Sequence, residues 1–297
     1  MARLSASLGN ALTRATSAVN RRRYALTPEQ WASFHEQGYL VLPAFFSAAE
    51  MRAARRGLDE LWSERASTPL VIDVFDDLGE DGTTGASERV RFARTPDSAR
   101  ERVYKLNDAY LERPWVRDLA LHPRLATILS QLLDDAPVIC NSLLFERGST
   151  QPLHFDTYYM PGQTPGGMTA TWIALEDAHA DAGPLRYYPG SQRIAAWRNG
   201  DGTTTVRDNV ELDQATHYIE AALRDYGLHE ETFIAHEGDV FIWHEQLYHG
   251  GGRINDAART RRSLVTHYWR AREMAPGSIV RHRRSGGYFW ARPHASA

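Results

Sequence analysis

From Pro137 onward the chain breaks into short apolar runs separated by turn signals, and this texture limits the fold more than any other feature. The runs are Val138 to Phe145, Leu153 to Tyr158, Met168 to Leu175, Leu185 to Tyr188, Thr232 to Ala235, Val240 to Trp243 and Arg262 to Trp269. Between them lie Pro161-Gly162, Pro165-Gly166-Gly167, Gly183-Pro184, Pro189-Gly190 and Gly238-Asp239. Proline fixes φ and glycine admits positive φ, so these are the places where strands reverse. A set of short strands punctuated in this way closes into a sandwich or a barrel. Residues 195 to 226 interrupt the strands with a polar loop and a predicted helix from Asp213 to Tyr226, a natural place for substrate-selecting structure.

The N-terminal half reads differently. Thr27, Pro28 and Gln30 supply a cap, a first helical residue and a capping-box partner, and Gly38 ends the helix they start. A short strand, Tyr39 to Leu42, precedes a second capping box at Ser47 and Glu50. The helix behind it places Met51, Ala54, Leu58, Leu61 and Trp62 on one face. Residues 68 to 97, with Gly79, Gly82 and Gly85 among acids, predict a long loop able to lie over a site. Pro114 to Asp134 has helical spacing and divides at Pro123. Helices first and strands later give an α+β plan.

A chain of 297 residues with 42% hydrophobic content can bury one large core, so residues 26–297 are expected to form a single domain. A net charge of -3 gives no basic field that would gather phosphates, and nucleic acid is not an expected partner. The lone Cys140 excludes an internal disulfide framework or a thiolate zinc cluster, and it fits a reducing, cytoplasmic setting. No run approaches the length needed to span a bilayer. Met1 to Ala25 carries Arg3, Arg14 and Arg21 to Arg23 without an acid. It reads foremost as a flexible basic extension, with a membrane-surface helix or an organelle-targeting peptide as the other readings.

His154-Phe155-Asp156 is the chemical feature. On an extended segment, residues two apart share a face, so His154 and Asp156 can reach one metal while Phe155 turns away. A second imidazole would complete two histidines and a carboxylate on one face of an octahedron, the arrangement of non-haem Fe(II) oxygenases. The chain has 12 histidines. His179, His217, His229 and His236 sit in polar contexts and read as solvated. His244 and His249 are five apart, where a zinc-protease helix needs four. Only one of them can share the metal from an extended segment, and His249 is chosen because Gly250 to Gly252 would let a co-substrate approach. His244 then reads as a packed residue.

Arg261 and Arg262 open the last strand, and one of them should point inward. A guanidinium fork grips a carboxylate with two hydrogen bonds, so with the metal motif nearby a dicarboxylate ligand becomes the better account. Two other readings stay open: a binding protein that keeps these residues without turnover, and a zinc hydrolase using the same ligands with a metal-bound water.

The chain resembles the phytanoyl-CoA dioxygenase family of the Fe(II) and 2-oxoglutarate-dependent oxygenases. The resemblance runs from about Leu26 to Trp269, through Gly38 to Leu42, Leu153 to Asp156, Trp172 to Asp177, Gly183 to Leu185, Tyr188 to Ser191, Gly238 to Val240, His249 to Gly252, Arg261 and Ser263. It implies a double-stranded β-helix, or jelly-roll, core with flanking N-terminal helices. It also implies His154, Asp156 and His249 on iron, Arg261 rather than Arg262 on the distal carboxylate of 2-oxoglutarate, and Ser263 assisting it. Lys105 resembles a position that helps to bind the co-substrate near iron, and Trp172 is expected to line the same pocket. The implied reaction uses O2 to hydroxylate an unactivated C-H of a small-molecule, sugar or lipid substrate, with release of succinate and CO2. Asp156 favours hydroxylation over halogenation, because related halogenases carry a small residue there. Tyr158, Tyr159, Arg186, Tyr187 and Arg193 are candidates to surround a polar or anionic substrate.

Overall fold

The computed structural model describes residues 24–297. The expectations for Met1 to Ala25 therefore lie outside the described residues, except at the last two positions. Both capping boxes form. Thr27 accepts from the Gln30 backbone while the Gln30 side chain accepts from Thr27, starting α1 (Pro28–Ala32). A π-turn, Ser33–Gln37, ends at Gly38 with φ 82°, where the chain turns into β1 (Tyr39–Leu42). Ser47 and Glu50 cap α2 (Ala48–Ser63), whose predicted inner face is buried. Burying each of its leucines contributes roughly 1.5–3 kcal/mol. The Pro114 to Asp134 region forms α3 (Pro114–Ala120) and α4 (Pro123–Leu132), divided at Pro123 as the sequence predicts.

The strands that follow α2 in chain order are β2 (Val71–Phe75), β3 (Ser87–Arg91), β4 (Tyr104–Asn107), β5 (Pro137–Phe145), β6 (Met168–Ala174) and β7 (Leu185–Tyr187). After α5 (Asn209–Asp225) come β8 (Glu231–Phe233), β9 (Val240–His244), β10 (His249–Gly251), β11 (Ser263–Arg270), β12 (Ile279–Arg281) and β13 (Tyr288–Trp290). The major sheet runs β1-β9-β6-β11-β5-β4-β2-β3 with antiparallel neighbours, and β13 joins β5 in parallel. The minor sheet is β10-β7-β8.

Alternation along the strands sets the layers. On β9, Val240 and Ile242 face the helices and join the core containing Leu58, Leu61, Leu129 and Leu264. Phe241 and Trp243 face the other way, into a second core shared with Leu185, Tyr187 and Phe233 of the minor sheet. β6 is buried at every position, as a strand covered on both faces must be. A third cluster fixes α5 over Phe155, Tyr158 and Tyr248. The result is the jelly-roll with helices packed on the outside of its major sheet. No helix among the described residues is long and apolar enough to cross a membrane.

Three local expectations are corrected. Leu153 to Tyr158 is not a continuous strand: His154 makes an isolated bridge to His249, and Asp156–Tyr158 is a 3-10 turn. Residues 68 to 97 are not one loop but carry the β2/β3 hairpin, which extends the major sheet. Its tip is docked, with Ile254 donating to the Gly82 carbonyl at 2.8 Å and the Thr84 and Thr150 hydroxyls 2.7 Å apart. The helix predicted at Asp213 starts earlier, at Asn209, because Asp208 caps it through the Glu211 backbone.

Candidate active site

His154 and His249 face each other across an antiparallel bridge, with N to O distances of 2.8 and 3.1 Å in the two directions. The bridge carries the segment with His154 onto the free edge of the minor sheet. The close approach explains the glycines. A Cβ on Gly250 would lie 2.8 Å from the Gln151 carbonyl, and one on Gly251 would lie 2.5 Å from Ser149 Oγ and 2.6 Å from Thr150 N. Gly250 and Gly251 also line the cavity, and the chain packed beside them already excludes a side chain at either position. The turn after Phe155 then swings Asp156 toward both rings.

His154 Nε2 lies 3.6 Å and His249 Nε2 3.8 Å from Asp156 Oδ1, and the three ligand atoms fall within 4.8 Å of one another. All three residues are buried. The tautomers are set locally: His154 Nδ1 lies 2.8 Å from the Pro152 carbonyl and His249 Nδ1 2.8 Å from the Leu247 carbonyl. Each Nδ1 therefore carries the proton and each Nε2 presents a lone pair inward. Gln151 fits this, with its amide 3.3 Å from His154 Nε2. Burial pushes His249 down to about 4, so it is a neutral donor at neutral pH. Burial alone would raise Asp156, but the facing rings of His249, His267 and His154 outweigh it and hold the carboxyl well below its usual range. Trp243 Nε1 donates to Asp156 Oδ2 at 2.7 Å, leaving Oδ1 on the side of the histidines.

Neutral imidazoles and an ionised carboxylate with one fixed oxygen are the donor set that a divalent first-row metal requires. His244 lies elsewhere, at the end of β9, with its ring 6.1 Å from Phe34. The reason differs from the predicted one: residues 245 to 248 carry the chain from the major to the minor sheet, so the two histidines belong to different layers. His179, His217, His229 and His236 are exposed.

The triad opens into a cavity of about 620 Å3 that also reaches Arg261, Trp172 and Lys105. Arg261 is 4% exposed and has no carboxylate within ion-pair distance among the described residues. Burial alone pulls its guanidinium down to about 10. Its Nε has no partner, nor have the buried Trp172 Nε1 and Ser263 Oγ. The guanidinium stands 5.5 Å from the Trp172 ring. Arg262 is instead paired with Glu146 at 3.0 Å, outside the cavity. Lys105 Nζ reaches Asp73 Oδ2 at 3.2 Å.

Two residues near the triad were missed. His267 on β11 places Nε2 3.5 Å from Asp156 Oδ1, while its Nδ1 meets Asn141 Oδ1 at 3.1 Å. Its signal was parity with Arg261, since 261, 263, 265 and 267 fall on one face of an extended run. Trp243 carried no comparable signal. Of the five residues expected around a substrate, only Tyr159 lines the cavity. Tyr158 is buried under α5, Arg186 pairs with Glu230, Tyr187 bonds Glu231, and Arg193 folds back on the Gly190 carbonyl.

Residues 34–263 match the family model described as Phytanoyl-CoA dioxygenase (PhyH). The chain is 28% identical over 190 residues to the phytanoyl-CoA dioxygenase of Arabidopsis thaliana, covering 57% of this chain and 66% of that protein. It is 27% identical over 256 residues to phytanoyl-CoA dioxygenase 1 of Oryza sativa subsp. japonica, covering 76% and 83%. Among solved structures, it superposes on the non-heme alpha ketoglutarate dependent carbocyclase SnoK from nogalamycin biosynthesis with a TM-score of 0.61. That match has 21% identity and covers 83% of this chain and 85% of that one.

Proposed function

The chain belongs to the phytanoyl-CoA dioxygenase family, and from that premise we propose that it is an Fe(II)- and 2-oxoglutarate-dependent oxygenase that hydroxylates an unactivated C-H of a small-molecule, sugar or lipid substrate. The observation that carries this reading is Arg261. A fully buried guanidinium with no counter-charge is costly, and it persists where a ligand supplies the anion. The Ser263 hydroxyl and the Trp172 N–H are likewise buried without partners; Trp172 lines the same cavity as Arg261, whereas Ser263 is not among its lining residues.

In this reading His154, Asp156 and His249 hold the ferrous ion. Arg261 and Ser263 hold the far carboxylate of 2-oxoglutarate, Trp172 lines its flank, and Lys105 assists at the end nearer the metal. When bound, iron and the keto acid together use O2 to insert one oxygen atom into the substrate while the keto acid leaves as succinate and CO2. The chain itself orients the ligands through the Pro152 and Leu247 carbonyls, holds Asp156 through Trp243, and encloses the reacting groups in a buried cavity. A zinc hydrolase would leave Arg261 without a role, and a silent binding protein would not need the fixed metal ligands.

The test is release of succinate from 2-oxoglutarate by purified protein given Fe(II) and ascorbate. Iron-dependent succinate, stimulated by a substrate, is expected. No succinate, or activity supported by zinc alone, would overturn the reading.

A further inference from the structure

The cavity holds a charge that the metal and the keto acid leave uncompensated. Arg89 on β3, Asp73 on β2 and Lys105 on β4 stand directly opposite one another across three strands. Asp73 Oδ1 accepts from Arg89 Nε at 2.6 Å, and Oδ2 lies 2.9 Å from Arg89 Nη2, 3.2 Å from Lys105 Nζ and 3.2 Å from Asn107 Nδ2. Burial pushes the Asp73 carboxyl up, but the bonds from Arg89 and the charge of Lys105 outweigh it and keep it ionised. One carboxylate thus serves two cations. The Arg89 side chain is 46% exposed and its Nη1 has no hydrogen-bond partner among the described residues, so that edge is open to solvent or to a ligand, and both Arg89 and Lys105 line the cavity.

A cross-strand ion triplet that only fixes register would account for the pairing. It would not account for the surplus. Asp156 is the sole acidic residue lining the cavity among the described residues, and it is committed to the metal. Against it stand Arg89, Lys105 and Arg261. A ferrous ion and the two carboxylates of 2-oxoglutarate cancel in formal charge, so the balance with Asp73 and Asp156 remains positive by one. Asn107, Asn141 and Ser87 add neutral polar groups to the same cavity.

Resting on the oxygenase reading above, we propose that Arg89, braced by Asp73, anchors an anionic group of the substrate, a carboxylate or a phosphate monoester, and that neutral or cationic molecules are poor substrates. Asp73 occupies Nε and Nη2 of the guanidinium and so aims the remaining edge at the ligand, which makes Asp73 a positioning residue. The cavity of about 620 Å3 must also house the keto acid, which limits the substrate to a small molecule or the head of a longer one.

The experiment is calorimetric titration of anaerobic protein saturated with Fe(II) and 2-oxoglutarate, using hexanoate, hexyl phosphate, 1-hexanol and hexylamine as probes. At least one anion should bind about tenfold or more tightly than the alcohol and the amine, and the preferred anion identifies the group. Arg89→Gln should weaken that anion by about tenfold or more, Arg89→Lys by less, and Arg186→Gln, an ion-paired arginine outside the cavity, not at all. Equal binding of anions and 1-hexanol, or equal anion affinity in wild type and Arg89→Gln, would overturn the proposal. The charge-transfer absorption of the Fe(II) and 2-oxoglutarate complex is recorded in the same samples. Its absence in wild type would count against the oxygenase reading alone, because the comparison of Arg89→Gln with wild type can still be made on the apoprotein.

Discussion

Replacing Arg261 with methionine should make the apoprotein more stable while abolishing its response to the co-substrate. Burial lowers the guanidinium from its ordinary value to about 10 with no opposing charge. At about 1.4 kcal/mol per tenfold change, that fall corresponds to a folding penalty of about 3 kcal/mol for the charged form. The sign follows from linkage. A base whose folded pKa is depressed is charged in both states below that pKa, so the penalty is complete at neutral pH and relaxes only as pH rises past about 10. Methionine fills a similar length without the charge. It gives up the contact with the Trp172 ring, about 0.5–2 kcal/mol. A net gain of roughly 1–2 kcal/mol is expected for Arg261→Met, read as a higher urea midpoint at unchanged slope. With Fe(II) present, 2-oxoglutarate at about 100 times its Kd should stabilise wild type by about 2.7 kcal/mol and the variant by almost nothing. An apoprotein variant less stable than wild type by about 1 kcal/mol or more, or one that still gains from 2-oxoglutarate, would refute the reasoning.

Other perturbations test the supporting structure. Trp243→Phe removes the N–H on Asp156 Oδ2 and should lower metal affinity about 10–100-fold in a Mn(II) titration, without loss of fold by circular dichroism. Gly251→Ala would place a Cβ against Ser149 and Thr150, costing about 1–3 kcal/mol in chemical denaturation and parting the His154 and His249 backbones. Glu245 is pushed up to about 7 by burial, against the N–H groups of Gly166 and Met168 that favour its ionised form. The folded chain therefore binds the proton more tightly than the unfolded one, and stability should fall as pH rises from roughly 4.5 to 7 and level off above. Tm measured across that range should lose this slope in Glu245→Gln.

What the sequence could show was local. Capping boxes at Thr27 and Ser47, the stop at Gly38 and the divide at Pro123 depend on neighbours a few residues away, and the structure has each of them. Strands of the jelly-roll were legible where they are buried and apolar, as on β6 and β9. The β2/β3 hairpin was not, because Val71–Phe75 is interrupted by Asp73 and Ser87–Arg91 is mostly polar. Ser87 and Arg89 among them line the cavity, and a polar strand of this kind looks like a loop in a hydropathy pattern. The same limit hid His267, Trp243 and Arg89, whose partners lie on other strands and are brought together only by sheet closure. His154 and Asp156 do lie 3.6 Å apart, but a bridge and a turn bring them together rather than the shared face of a strand.

The most direct test of the central claim is the visible spectrum of the protein on anaerobic addition of Fe(II) and then 2-oxoglutarate. A charge-transfer band saturating at one iron per chain, and lost in His249→Ala, is the expected result. No band in the wild-type protein, or an undiminished band in the variant, would contradict it.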